Sequence, residues 1–252
     1  MSRQRPLLAL SLALSALWGA TAHAGDLVVS AAASLTNAFK EVARGYEKEN
    51  PGTQVILNFG ASDVLLQQIV KGAPADVFAS ADQKAMDKAV AEKAVKPASR
   101  VDFAANQIVL IVPTDSKANI TALKDLTRDD VKRIAYGNPA SVPVGRYTQG
   151  ALEAAGLWNV VQAKSVLAQN VRQSLDYVSR GEVDAGFVFA TDAAVMPDKV
   201  KVALRVPSQT PVTYPIAMTT REAAAQDAAR FVAYVLSPAG QAILSRYGFQ
   251  KP

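Results

Sequence analysis

The chain has 252 residues, with 27 Lys and Arg against 22 Asp and Glu, one His, no Cys and a formal charge of +5. Its first 24 residues read as a secretory leader: Arg3 and Arg5 precede the apolar run Leu7 to Trp18, and Ala22-His23-Ala24 carries the small residues that a signal peptidase reads. Cleavage before Gly25 removes two Arg and the single His, which lowers the charge to +3 and leaves neither His nor Cys. That inventory excludes Ser-His-Asp and Cys-His catalysis, zinc ligation and disulfide redox chemistry.

The leader's apolar run is too short to span a bilayer, and no later stretch approaches ~18 uninterrupted apolar residues, so an exported, soluble protein without a lipid-anchoring Cys is expected. Basic residues are dispersed among acids, as in KEVARGYEKE and KDLTRDDVKR. This is the pattern of solvated helix faces and not of a nucleic-acid contact run. Without disulfides the chain must be held by apolar cores, and its length suits two domains of about 100 residues each.

In chain order, Leu27 to Val29 predicts a buried strand, Ala31 to Ala33 a tight turn, and Ser34 the N-cap of a helix with Leu35, Ala38, Phe39, Val42 and Tyr46 on its inner face. The unit recurs. Residues 54–59 form a strand, Gly60-Ala61 a turn, and Ser62 caps a helix with Leu65, Leu66, Ile69 and Val70 inward, ending at Gly72. A third strand spans Val77 to Ala79, and Asp82 caps a helix bearing Met86 and Val90. Successive βα units imply a parallel sheet covered by helices, with ligands bound beyond the carboxyl ends of the strands.

The run IVLIVP at 108–113 is the most continuous strand, and after Pro113 the composition turns polar, which marks a domain crossing. The second half repeats the style. RIAYG is a strand; a helix starts near Pro143, carries Tyr147, Ala151, Leu152 and Ala155, and stops at Gly156. SVLAQ at 165–169 is a strand, Asn170 an N-cap, and Val171, Leu175 and Val178 the inner face of a helix closed by Gly181; AGFVFA at 185–190 is the last central strand. A second crossing near TYPIAMTT, 213–220, is followed by two helices, Glu222 to Leu236 and Pro238 to Tyr247, whose apolar positions need the first sheet to cover. The expected lobes are therefore residues 25–106 with 218–252, and residues 107–217. The Asn119-Ile120-Thr121 sequon is read as chance.

AAASLTNAF at 31–39, FGASDVLLQQI at 59–69, GAPADVFASADQKAMD at 72–87, GNPASVPVGRY at 137–147, Asn-Val-Arg at 170–172 and RYGF at 246–249 resemble, in order and over essentially the whole chain after the leader, the periplasmic molybdate-binding proteins of ABC transporters. The resemblance implies a two-lobed periplasmic binding protein fold of type II, an α/β architecture in which each lobe is a mainly parallel sheet covered by helices and two hinge crossings join the lobes. It implies a monomer in the periplasm that captures molybdate or tungstate, carries no cofactor, binds no nucleic acid, has no enzymatic activity and delivers the anion to a membrane permease. By position it implies that Ser34 and Ser62 bind through hydroxyl and backbone N–H groups, and Val144 and Val171 through backbone N–H groups. Ala33, Ala61, Pro143, Asn170 and Phe189 are implied as lining residues, with no metal held by protein side chains. The family usually places a tyrosine hydroxyl where this chain has Phe189; Thr191 and Tyr147 are candidates to replace it.

Physical chemistry agrees with that implication. The first N–H groups of a helix lack internal partners and carry roughly +0.5 charge, so an anion is stabilised there without Lys or Arg. A buried dianion must be met by many hydrogen bonds, each contributing ~1.5–3 kcal/mol when the acceptor is charged. Donors alone offer no acceptor to a ligand proton, which favours fully deprotonated oxyanions over hydrogen phosphate. The competing readings are a relative binding sulfate, thiosulfate, phosphate or ferric ion, and a Ser34–Lys40 catalytic dyad, which six residues along a helix place on different faces.

Overall fold

A computed structural model describes residues 25–252, so the expected leader lies outside the described residues. The first lobe begins with β1 (Asp26–Ala32), a 3-10 turn (Ala33–Leu35), α1 (Thr36–Glu49), β2 (Gln54–Gly60), α2 (Ser62–Val70), β3 (Val77–Ala79), α3 (Gln83–Ala91) and β4 (Val101–Asn106). β5 (Ile108–Pro113) opens the second lobe, followed by β6 (Ile134–Gly137), α4 (Pro143–Ala154), α5 (Trp158–Ala163), β7 (Ser165–Ala168), α6 (Val171–Ser179), β8 (Ala185–Phe189), α7 (Ala190–Ala193) and β9 (Val200–Val206). The chain then returns through β10 (Val212–Met218) to α8 (Ala225–Leu236) and α9 (Pro238–Arg246) on the first lobe.

Each lobe holds one five-stranded sheet, ordered β2-β1-β3-β10-β4 and β7-β6-β8-β5-β9. The pairs β1–β2, β1–β3, β6–β7 and β6–β8 are parallel, because each is joined by a helical crossover. The pairs made by β10 and β5 are antiparallel, so the sheets are mixed rather than mainly parallel. The antiparallel members are the strands that carry the chain between lobes. In both lobes the helices that follow the two outermost parallel strands start at the cleft, the place where ligands of open α/β sheets gather.

The first crossing is at Gln107, between β4 and β5. The second is a correction: it lies in residues 207–211, before β10, and not at 217/218, because β10 pairs with β3 and β4 in the first sheet. Pro215 obscured that strand in the sequence. It sits at a register shift between Tyr214 and Pro215, where the ladder is already interrupted and a missing N–H costs little.

Strands β4 and β9 carry no clear signature, as expected of the two sheet edges they occupy. Two side chains expected inside are outside: Val70 is 43% exposed, and Ala155, the C-cap of α4, is also exposed, because both sit in frayed last turns. The C-terminal helices pack on the first lobe, against α1 and β10. Phe231 of α8 is fully buried and meets Phe39 and Tyr46 of α1 edge-on at centroid distances of 6.2 and 5.3 Å.

Candidate functional site

On the first lobe, the loops after β1 and β2 are built from small residues, which lets the backbone of two helix starts approach the cleft. Neither serine is a helix cap, contrary to the sequence expectation. Ser34 lies inside the 3-10 turn, and α1 is preceded by Leu35 with no side-chain cap; Ser62 is the first residue of α2, whose N-cap is Ala61, again without a side-chain cap. Their hydroxyls are held by other elements. Ser34 Oγ lies 3.1 Å from Tyr214 Oη, and Ser62 Oγ accepts the Ala81 N–H at 3.1 Å. The N–H groups at the start of the 3-10 turn and of α2 have no intrahelical acceptor, whereas the Thr36 N–H that opens α1 is already bonded to the Ala33 carbonyl.

The second lobe uses different devices. Pro143 starts α4, where its missing N–H costs nothing, and Val144 follows with its side chain in the core and its N–H in the unpaired first turn. Gly145 lets that turn press onto β6: a Cβ there would lie 1.9 Å from the Gly137 carbonyl oxygen. Asn170 caps α6 as expected, its side chain accepting the Gln173 N–H at 3.1 Å. The Val171 N–H, earlier in the same turn, is left for another partner.

These four starts border one small cavity between the lobes, with about 10 Å³ of room. All nine residues singled out in the sequence line it: Ser34, Ser62, Val144 and Val171, with Ala33, Ala61, Pro143, Asn170 and Phe189. The remaining lining residues are Ala32, Gly60, Ala81 and Val142, so no charged side chain reaches the wall. Phe189 is 1% exposed and presents a ring without a hydroxyl. Neither candidate substitute lines the cavity. Thr191 Oγ1 instead accepts Asn106 Nδ2 at 2.9 Å, and the Tyr147 ring packs edge-on against Phe189 at 6.3 Å. Lys40 is exposed while Ser34 is 3% exposed, so no Ser-Lys dyad forms.

Charge is kept to the rim. Arg146 of α4 reaches across the cleft to Asp63 at 2.7 Å and Asp82 at 2.6 Å on the first lobe. Burial works against its charge, but the two carboxylates outweigh burial and hold its pKa above the ordinary value. Burial raises the Asp82 carboxyl despite Arg146 beside it. Arg172 of α6 pairs with Asp192 of its own lobe at 2.5 Å and donates across the cleft to Asn37 Oδ1 at 2.8 Å. Asp192 is fully buried, its Oδ2 has no partner, and burial pushes its carboxyl up to about 6 against the pull of Arg172.

Sequence reasoning missed these rim pairs and Tyr214. The arginines follow the cavity-bordering helix starts by one or two residues, Asp63 sits in the first turn of α2 and Asp82 is the N-cap of α3, both places where carboxylates are favoured. Those positions look like ordinary solvated helix termini until the lobes are brought together.

The sequence pattern of bacterial extracellular solute-binding proteins matches residues 27–250. The molybdate-binding protein ModA of Escherichia coli is 39% identical over 95% of this chain and 94% of its own length, and that of Haemophilus influenzae 36% identical over 95% of each. The solved periplasmic molybdate-binding protein of Azotobacter vinelandii superposes with a TM-score of 0.78 at 26% identity, covering 90% of this chain and 99% of that one. The chain therefore belongs to the bacterial extracellular solute-binding proteins, within their molybdate-binding family.

Proposed function

We propose that the cleft captures molybdate, and tungstate with it, for delivery to the permease of an ABC transporter. The observation that carries this reading is the convergence of four helix starts on one interlobe cavity lined by no charged side chain. Ser34 and Ser62 donate through hydroxyl and backbone N–H groups, and Val144 and Val171 through backbone N–H groups. Fixed donors without a nearby acceptor suit a tetrahedral, fully deprotonated dianion. The protein works as a periplasmic monomer without a cofactor and without catalysis. Sulfate has the same charge and shape as molybdate, so cavity size separates the two.

Thermal unfolding with a panel of oxyanions tests this. At a free concentration of 1,000 times Kd, binding contributes about 4.1 kcal/mol, or roughly 8–16 °C in a chain of this size. Molybdate and tungstate should give such shifts while sulfate and phosphate give little. An equal or larger shift with sulfate would assign the cleft to another oxyanion.

A further inference from the structure

The Tyr214 hydroxyl is fully buried and has two partners, Ser34 Oγ at 3.1 Å and Asn106 Nδ2 at 3.2 Å. The orientation of the Asn106 amide is fixed. Its Oδ1 accepts the Gln107 N–H at 2.9 Å, so a flipped amide would set two donors against each other, and Nδ2 is left facing Tyr214 and Thr191. An amide NH2 only donates, so the buried phenol has one available acceptor for its own proton, Ser34 Oγ. Burial and the nearby Asp192 charge raise the pKa of the phenol, so it keeps that proton.

Once Ser34 Oγ accepts from Tyr214, its single proton has no acceptor among the described residues and the cavity in front of it. Ser62 reaches the same condition by a simpler route, since the Ala81 N–H it accepts cannot reverse. We propose that Tyr214, oriented by Asn106, is a positioning and specificity residue that commits the Ser34 hydroxyl to donate, so that the cleft rewards a bare oxyanion oxygen and rejects a protonated one. A serine free to rotate would accept a proton from hydrogen phosphate as readily as it donates to molybdate. This inference rests on the reading that Ser34 faces the bound anion.

Tyr214→Phe is the variant of choice, because the ring still packs edge-on against Phe189, Phe249 and Phe103 at 5.7, 5.5 and 6.3 Å. Calorimetric affinities for molybdate, and for phosphate by competition, are measured for the native protein, Tyr214→Phe, Ser34→Ala and the double variant. Tyr214→Phe should weaken molybdate about five- to thirtyfold and phosphate less, narrowing the ratio between them. In the Ser34→Ala background the same change should alter molybdate binding less than about twofold, because the group through which it acts is gone. A full-sized loss in that background, or an unchanged molybdate-to-phosphate ratio, would overturn the role of Tyr214 while leaving the site intact. Unchanged molybdate binding in Ser34→Ala would overturn both this inference and the assignment of Ser34 to the site.

Discussion

The two lobes face the same cavity with different materials. The first lobe offers two serine hydroxyls above helices whose N-caps carry no bonding side chain, whereas the second offers backbone N–H groups from a Pro-started helix and an Asn-capped one. The first-lobe hydroxyls are fixed from outside their own helices, by Tyr214 and Ala81. The second-lobe donors are fixed by the helix backbone itself. Donors of the first kind are open to substitution one at a time, and donors of the second kind are not.

The lobes also differ in how they close on each other. Arg146 forms its ion pairs entirely with the opposite lobe, while Arg172 pairs within its own lobe and crosses only by hydrogen bonds. Both Asp63 and Asp82 depend on Arg146, and its side chain is 13% exposed, so these charges are poorly screened. Arg146→Ala strands two carboxylates at the rim of the proposed anion site, with an expected cost to the closed form of ~3–5 kcal/mol. Molybdate release measured by stopped flow should accelerate accordingly. An Arg146→Ala protein with native release would show that the rim pair has no part in closure.

The comparison of donors is sharpened by truncation on both sides. Ser62→Ala and Ser34→Ala should each weaken molybdate binding by ~1.5–3 kcal/mol through loss of a charge-assisted bond. Neither change removes a helix cap, but Ser62→Ala leaves the buried Ala81 N–H unpaired, so the ligand-free protein should lose about 1–3 kcal/mol as well. Val144→Ala retains its N–H and should bind molybdate within a few fold of native while losing roughly 1–3 kcal/mol of stability from the core. Calorimetry and denaturant unfolding separate the two effects. Equal binding losses at Val144 and Ser62 would contradict the division between side-chain and backbone donors.

Asp192 connects the second lobe to pH. Its carboxyl stands at about 6 when folded against an ordinary value of 3.8, so between those values the folded chain holds a proton that the unfolded chain does not. Native stability should therefore rise, relative to Asp192→Asn, as pH falls from about 7 towards 4, by on the order of 1–2 kcal/mol. Melting temperatures across that range give the slope for each protein. Parallel slopes would place the titration elsewhere.

Much of this molecule was legible in the sequence where local pattern and tertiary role coincide. The βα units at Leu27, Val55 and Ile134 announced themselves by apolar runs ending in small residues, and six of the nine cavity residues follow those strands, while Asn170 and Val171 follow β7 and Phe189 ends β8. The cap assignments failed at Ser34 and Ser62 because a serine beside a helix start satisfies the capping pattern whether its oxygen serves that helix or a distant partner. Those partners are 180 residues away at Tyr214 and 19 residues away at Ala81. The cross-lobe pairs of Arg146 were hidden for the same reason, as was strand β10, whose local pattern Pro215 also interrupts. Each is defined by contacts between segments far apart in the chain, and no local period encodes them.

Phe189 is where the division between side-chain and backbone donors would be altered by adding a group. Its ring lines the cavity, packs against Tyr214 and Tyr147, and stands where the family usually has a tyrosine. Neither Thr191 nor Tyr147 brings a hydroxyl to the wall, so the second lobe lines the cavity without a side-chain hydroxyl of its own. Phe189→Tyr would supply one on a nearly identical ring, with an expected gain in molybdate affinity of up to ~1.5 kcal/mol after any displaced water is counted. The gain should appear mainly as slower release, since the new bond exists in the closed complex and not in the encounter. Stopped-flow dissociation of molybdate from the two proteins decides it: unchanged or faster release from Phe189→Tyr would mean that the added hydroxyl does not reach the anion.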